Sequence, residues 1–526
     1  MALPPKVYTF LCACFAAMGA MLYGYDLGVI SYVLEAPDFN KTMGTDDPDY
    51  IGFIVSSMLL GAFVGSIPAS LIADYFSRRV AITAAGGVFI VGGVLQTACQ
   101  NKETMMAGRF FAGIGIGMLG NSEIIKLIFR CLAHPSARGM LTATFQFFLG
   151  IGAIVAGWIA YGLAQTHKEA PIAWRLPLAL QMAPALPLLL LSFTLPESPR
   201  WLMIKGREAD ALRALARLHA QGNENDPLVQ GEFAVMKEKV EEEALQSQSW
   251  SALFVDKTNA RKVLYGIILQ FSVQMTGVSA IQYYAASVYK SVGFSSNTAL
   301  LINSINNINA LFGELLCILF VDKIGRRFPL IWGNVLAGSC FAVATALAKQ
   351  FYVGTGSRGM GIGFVAVLYV YNLAFSACIG PLSWIYPVEM FNTAVRAKAT
   401  SLTTMAAWIA NFMIGQVSPK AFDDIHWKYY LVFTICGFTN ALTFWALFPE
   451  TKGRTLEEMD SYFRETHWFV PLSKQRNISS REREVQLAQG QTDVVVHHPT
   501  ASEDAEKALH QGGYQHEEVS RFTPLR

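Results

Sequence analysis

Two residues of opposite charge stand apart because each lies in an apolar stretch. Asp26 follows Gly24 and Tyr25 deep inside the run from Tyr8 to Val33, and Arg109 follows Gly108 at the start of a run that carries Gly113, Gly115 and Gly117. A lone charge in hydrocarbon is costly unless it finds a partner. Asp26 and Arg109 therefore predict one another as an ion pair. Desolvation favours the protonated acid and a neighbouring guanidinium favours the ionised one, so a small movement of the arginine would decide whether Asp26 holds a proton.

A second set of side chains could bind a ligand. Gln146 lies in one apolar stretch. A later one is dense in polar groups: Gln270, Gln274, Thr276, Gly277, Ser279, Gln282, Tyr283 and Tyr284. Further along come Asn303, Asn306, Asn307, Asn309 and the acid Glu314, then Gly380, Pro381, Ser383, Trp384, Tyr386, Pro387 and Glu389, then Trp408 and Asn411. Each amide offers donors and acceptors that lipid cannot satisfy, so it must bond either another helix or a ligand. Amides beside large aromatic rings suit a neutral polyhydroxylated ligand, whose hydroxyls meet the amides and whose C–H face stacks on the rings. Gly277 would let its helix break, and broken helices in transporters line substrate sites.

The elements that must position these groups are membrane spans. The 526 residues are 52% hydrophobic and only 15% charged, with a mean hydropathy of +0.33, too apolar for an ordinary soluble domain. The first apolar stretch is longer than a leader core and lacks a clear small-residue cleavage site, so it is kept as a span. The net charge of +2 implies no nucleic-acid partner. The eight cysteines lie in or beside apolar stretches without metal or disulfide spacing, and the nine histidines form no ligand pattern. No metal and no cofactor are implied. Gly354, Gly356 and Gly359 imitate a dinucleotide fingerprint, but no strand precedes them, and there is no Walker A sequence to couple ATP hydrolysis.

The apolar stretches fall into two sets of six. Asp74 to Arg79 is echoed by Asp322 to Arg327 about 250 residues later; Arg138 is echoed by Arg396, and Pro196 to Arg200 by Pro449 to Arg454. Repeats at a constant offset indicate two parallel halves. The predicted organisation is an N-terminal six-helix bundle over 1–199, a charged helical linker over 200–261, a C-terminal six-helix bundle over 262–460 and a disordered tail over 461–526. Basic residues cluster on the side of both termini, which places that side in the cytosol. Of two glycosylation sequons, Asn40 with Thr42 and Asn477 with Ser479, only Asn40 then faces the lumen during synthesis.

In order and spacing these motifs resemble the sugar porter family of the major facilitator superfamily, most nearly its fungal monosaccharide transporters. The likeness rests on Gly24 to Asp26, the two Asp-to-Arg loops, Gly108 with Arg109, Arg138 with Gly139, Pro196 to Arg200, Gln274 through Tyr284, Gly380 to Trp384 with Glu389 and Arg396, and Pro449 to Arg454. It implies an all-α membrane protein, twelve transmembrane helices forming two pseudo-symmetric six-helix bundles (the major facilitator fold), in the plasma membrane, and not an enzyme. It implies sugar contacts at Gln146, Gln274, Ser279, Tyr283, Tyr284, Trp384, Trp408 and Asn411, and proton coupling at Asp26 and Arg109. It further implies a cytosolic latch between the halves made of Asp74, Arg79, Arg138, Glu197, Arg200, Asp322, Arg326, Glu389, Arg396 and Glu450.

The chain departs from the family pattern at several points. Val273 stands where the first of two glutamines is usual, Ser279 where asparagine is frequent and Ser383 where a second proline is common. Lys126, Ile128 and Cys131 occupy positions where the family has proline, tyrosine and glutamate, while Glu123, Lys126 and Arg130 add charge to the fourth span. The implied function is import of a small neutral sugar, in particular a hexose, together with protons. A facilitative uniporter and a non-transporting sugar sensor are the alternatives.

Overall fold

The computed structural model describes residues 5–44, 47–120, 138–194, 197–220, 222–246, 250–392, 395–454 and 456–472. All belong to one compact unit, Met1–Asn477. Within them, nine helices are long and apolar enough to cross a bilayer, or ten if Ala17–Val33 and the bent Pro37–Met43 count as one span. Lys102–Gly120, whose continuation lies outside the described residues, and the more polar Arg396–Asp424 complete twelve.

In the first half, span one is Pro5–Val33, span two Pro48–Tyr75, span three Arg78–Ala98, span four Lys102–Gly120 as described, and span five Arg138–Thr166. Span six is split into Ile172–Leu180 and Ala185–Leu191. Pro184, which lacks an N–H to continue the helical ladder, lies in that break. In the second half, span seven is Lys257–Gln274 followed by Val278–Ser291, span eight Ser296–Ile324 and span nine Arg327–Tyr352. Span ten is Arg358–Cys378 followed by Gly380–Met390, span eleven Arg396–Asp424 and span twelve Tyr429–Leu447.

Small residues set how closely these helices approach. A side chain on Gly61, Gly65, Gly113 or Gly117 would collide with backbone atoms of the opposing helix, so spans two and four meet backbone to backbone. Spans one and five meet similarly at Gly24 and Gly152. Each half then buries its own core, one around Met58, Phe89, Ile116 and Trp174, the other around Tyr265, Phe341, Tyr371 and Phe433. Tyr283, Tyr284 and Trp408 come from the second half but pack into the core of the first.

Two of the anticipated domain limits shift. The helix of span seven already starts at Lys257, ahead of the expected limit at 262. Beyond span twelve, the amphipathic helix Leu456–Glu465 and the turn Val470–Leu472 pack on the bundle instead of beginning a disordered tail. Lys262 pairs with Asp460 at 2.7 Å. Arg261 donates to the carbonyls of Phe463, Thr466 and His467 and lies against the rings of Tyr265, Phe463 and Trp468. A buried guanidinium needs such a dense set of acceptors, which docks the chain as far as Leu472. The linker forms the helices Pro199–Ile204, Glu208–His219 and Pro227–Gln246, which bury Leu202, Met203, Ala211 and Ala214 against Phe233 and Met236.

Candidate functional site

Asp26 and Arg109 meet as their isolation required. Both are fully buried, and the guanidinium donates through Nη2 to Oδ2 at 3.3 Å and through Nη1 to Oδ1 at 3.5 Å. Nη2 also reaches the Val55 carbonyl at 3.4 Å, while Nε is buried without a partner. The pair is therefore bidentate but long, and the arginine is incompletely satisfied. Breaking a buried pair outright costs about 3–5 kcal/mol, so any motion that separates the two must be matched by a proton on the acid or a new partner for the arginine.

The polar and aromatic groups form a chain of contacts from span one through spans seven and eleven. Gly277 adopts φ +88°, which ends the first helix of span seven and starts the second. At that break the Ser279 hydroxyl donates to the Gln274 side-chain oxygen at 2.7 Å. Tyr283 donates to Asn411 at 3.3 Å and Tyr284 to the Gly415 carbonyl at 2.7 Å, tying the second helix of span seven to span eleven. One turn from Asn411, the Trp408 indole meets Tyr23 of span one edge to face, with ring centroids 5.3 Å apart, and its buried N–H has no partner. Trp384 lies half-buried on the second helix of span ten. These groups thus bring an unmet donor, an amide and aromatic faces together between the halves.

Gln146 bonds to a different partner. Its amide donates to Glu314 of span eight at 3.1 Å, joining the two halves within the membrane. Glu314 was visible in the sequence as a buried acid, but nothing there marked it as the partner of Gln146.

Of the residues anticipated as a latch between halves, Arg79, Glu197, Asp322, Arg326, Glu389 and Glu450 bond within their own half. In the first half Arg79 pairs with Glu197 at 2.9 Å. In the second, Arg326 pairs with Glu389 at 2.8 Å and Asp322 at 3.0 Å. Glu450 accepts from the backbone N–H groups of Arg326, Arg327, Thr451 and Lys452 at 2.9–3.0 Å. Its charge sits at the start of span nine, where the helix dipole favours an anion. Arg396 donates to the Phe391 carbonyl at 3.0–3.1 Å, and Arg200 is half-buried on the first linker helix. The side chains of Asp74 and Arg138 lie outside the described residues, as does the segment carrying Glu123, Lys126 and Arg130.

Among the described residues, the other bonds that cross between halves lie toward the opposite end. Lys290 pairs with Glu35 at 2.9 Å and Lys420 with Asp49 at 3.1 Å. Ser56 donates to Gln416 at 2.8 Å, and Gln416 donates to the Asp49 carbonyl at 3.1 Å. Slightly deeper, Asn303 donates to Ser31 at 2.9 Å, and Tyr32 and Ser304 share a hydrogen bond of 2.7 Å. Asn40 is exposed near this end, on the short helix Pro37–Met43, with its amide donating to Leu34. Among the described residues, no three His, Cys, Asp or Glu side chains gather as a metal would need.

Residues 12–463 match the family described as Sugar (and other) transporter. The chain is 29% identical to the high-affinity glucose transporter 1 of Candida albicans, over 90% of this chain and 88% of that protein. It is 31% identical to the arabinose-proton symporter of Bacillus subtilis, over 86% of this chain and 94% of that one. The fold superposes on the major facilitator superfamily proton:xylose symporter XylE of E. coli with a TM-score of 0.72 at 26% identity, covering 88% of this chain and 100% of that chain. The twelve spans are therefore those of the major facilitator fold.

Proposed function

As this multi-pass membrane protein belongs to the Sugar (and other) transporter family, we propose that it imports a neutral monosaccharide, most nearly a hexose, together with a proton by alternating access. The observation that carries the coupling is the buried, long Asp26–Arg109 pair. An acid so placed binds a proton when its arginine moves away and releases it when the arginine returns. The sugar site lies between spans five, seven, ten and eleven, where Gln274, Asn411 and Gln146 supply amides, Trp408 supplies an unmet N–H, and Trp384 supplies an aromatic face. Ser279, Tyr283 and Tyr284 shape and close it. The halves, 1–199 and 262–460, rock about this site while the cytosolic ion pairs keep each half rigid.

The reading places the protein in the plasma membrane with both termini and the linker in the cytosol, and a glycan on Asn40. The relatives named for proton symport, a bacterial arabinose carrier and a xylose carrier, support coupling; the Candida glucose transporter supports a hexose. One proton crossing 100 mV supplies about 2.3 kcal/mol, enough for roughly fifty-fold accumulation of a neutral sugar. The test is sugar-evoked proton uptake in cells stripped of their own carriers. External alkalinisation on sugar addition is the expected result. Sugar uptake without proton movement makes the protein a uniporter, and sugar binding without uptake makes it a sensor.

A further inference from the structure

Glu314 is a carboxyl inside the membrane that the coupling scheme does not use. Its Oε1 accepts from Gln146 across the boundary between the halves, and its Oε2 is buried without a partner. Span five makes room for it at Gly150, where a Cβ would lie 2.6 Å from Oε2. No ion pair forms between Glu314 and any described cation. The nearest titratable group on its own helix is Cys317, three residues further on. Span five presents an amide.

A carboxylate buried with one amide donor and no cation is far costlier than the neutral acid. In the neutral form, Oε1 takes the amide of Gln146 and Oε2 carries the proton, leaving one O–H donor with nothing to bond. We propose that Glu314 is a substrate-binding residue that works as a neutral acid, donating from Oε2 to an oxygen of the transported sugar while Oε1 orients Gln146. This rests on the sugar reading of the site. It adds a contact from span eight, and it makes binding depend on a proton that is held at a different place from that of Asp26.

The test measures binding of D-glucose, D-xylose and their monodeoxy analogues to the purified full chain in detergent across pH, for the parent, Glu314→Met, Glu314→Gln and Gln274→Ala. Loss of one hydrogen bond weakens binding about 5- to 30-fold, and Glu314→Met is expected to fall in that range. One deoxy analogue, lacking the oxygen that Glu314 bonds, then loses nothing further in this variant. The parent's affinity falls on the alkaline side as the acid ionises; Glu314→Gln, which accepts and donates without a titratable proton, flattens that fall. Should Glu314→Met fail to fold, the pH profile of Glu314→Gln still decides. An unchanged alkaline fall in Glu314→Gln, or parental affinity in Glu314→Met while Gln274→Ala binds weakly, overturns this inference alone. Absence of sugar binding by the parent overturns the sugar reading and this inference with it.

Discussion

At the scale of single residues, the ion pair and the amides invite separate measurements. Asp26→Asn removes the titratable group yet leaves a side chain that can still accept from Arg109. It is expected to abolish uphill accumulation while sugar exchange across the membrane persists, measured as counterflow of labelled sugar; continued accumulation against the gradient would make Asp26 structural. Gln274→Ala leaves Ser279 and any bound hydroxyl without its amide partner, which costs about 1–3 kcal/mol. The expected result is about 5- to 150-fold weaker sugar affinity, and unchanged affinity would mean that Gln274 serves only the fold. The Asp26–Arg109 pair was legible in the sequence because two lone charges in apolar runs have few options. Gln146 with Glu314 was not, since an amide carries no mark of which residue, here 168 positions away, will accept from it.

At the scale of elements, the break in span seven was announced by Gly277, while those in spans six and ten, beside Pro184 and Pro381, were not foreseen. Gly277 combines φ +88° with close packing, since a Cβ there would lie 2.7 Å from the ring of Phe433 and 2.9 Å from that of Phe341. The left-handed backbone alone costs a residue with a side chain about 1–2 kcal/mol. Gly277→Ala is therefore expected to lower the midpoint of thermal unfolding in detergent and to reduce transport more than it reduces surface expression. A wild-type melting curve with full transport would show that the break tolerates an ordinary residue. The docked helix Leu456–Glu465 escaped the sequence because its anchors, Arg261 and Lys262, lie some 200 positions earlier and resemble linker charge.

At the scale of the whole molecule, twofold repetition was readable from paired motifs, but which end joins the halves was not, because the repeats describe each half and not the contact between them. Among the described residues, ion pairs join the halves at the end marked by Glu35–Lys290 and Asp49–Lys420 and lie within each half at the other. Replacing Lys290 and Lys420 by Ala is expected to shift the population toward opening at that end, raising the labelling rate of a cysteine placed beneath it. With about 0–1 kcal/mol per exposed pair, the shift is up to roughly fivefold for each lysine; an unmoved rate would assign closure to the deeper Ser31–Asn303 and Tyr32–Ser304 bonds. Sidedness has its own check, since Asn40→Gln should remove an attached glycan while Asn477→Gln does not, and a glycan at Asn477 would invert the topology. The exposed part of that closure bears on a step in which nothing is carried. After each delivery the empty protein must turn back, and solvent-exposed ion pairs such as Lys420–Asp49 are screened by salt and shallow enough to be left quickly. On the proposed alternating access, a closure made only of buried charges would hold the unloaded carrier in one orientation, and exposed pairs such as Lys420–Asp49 add little to what the buried Ser31–Asn303 and Tyr32–Ser304 bonds already contribute.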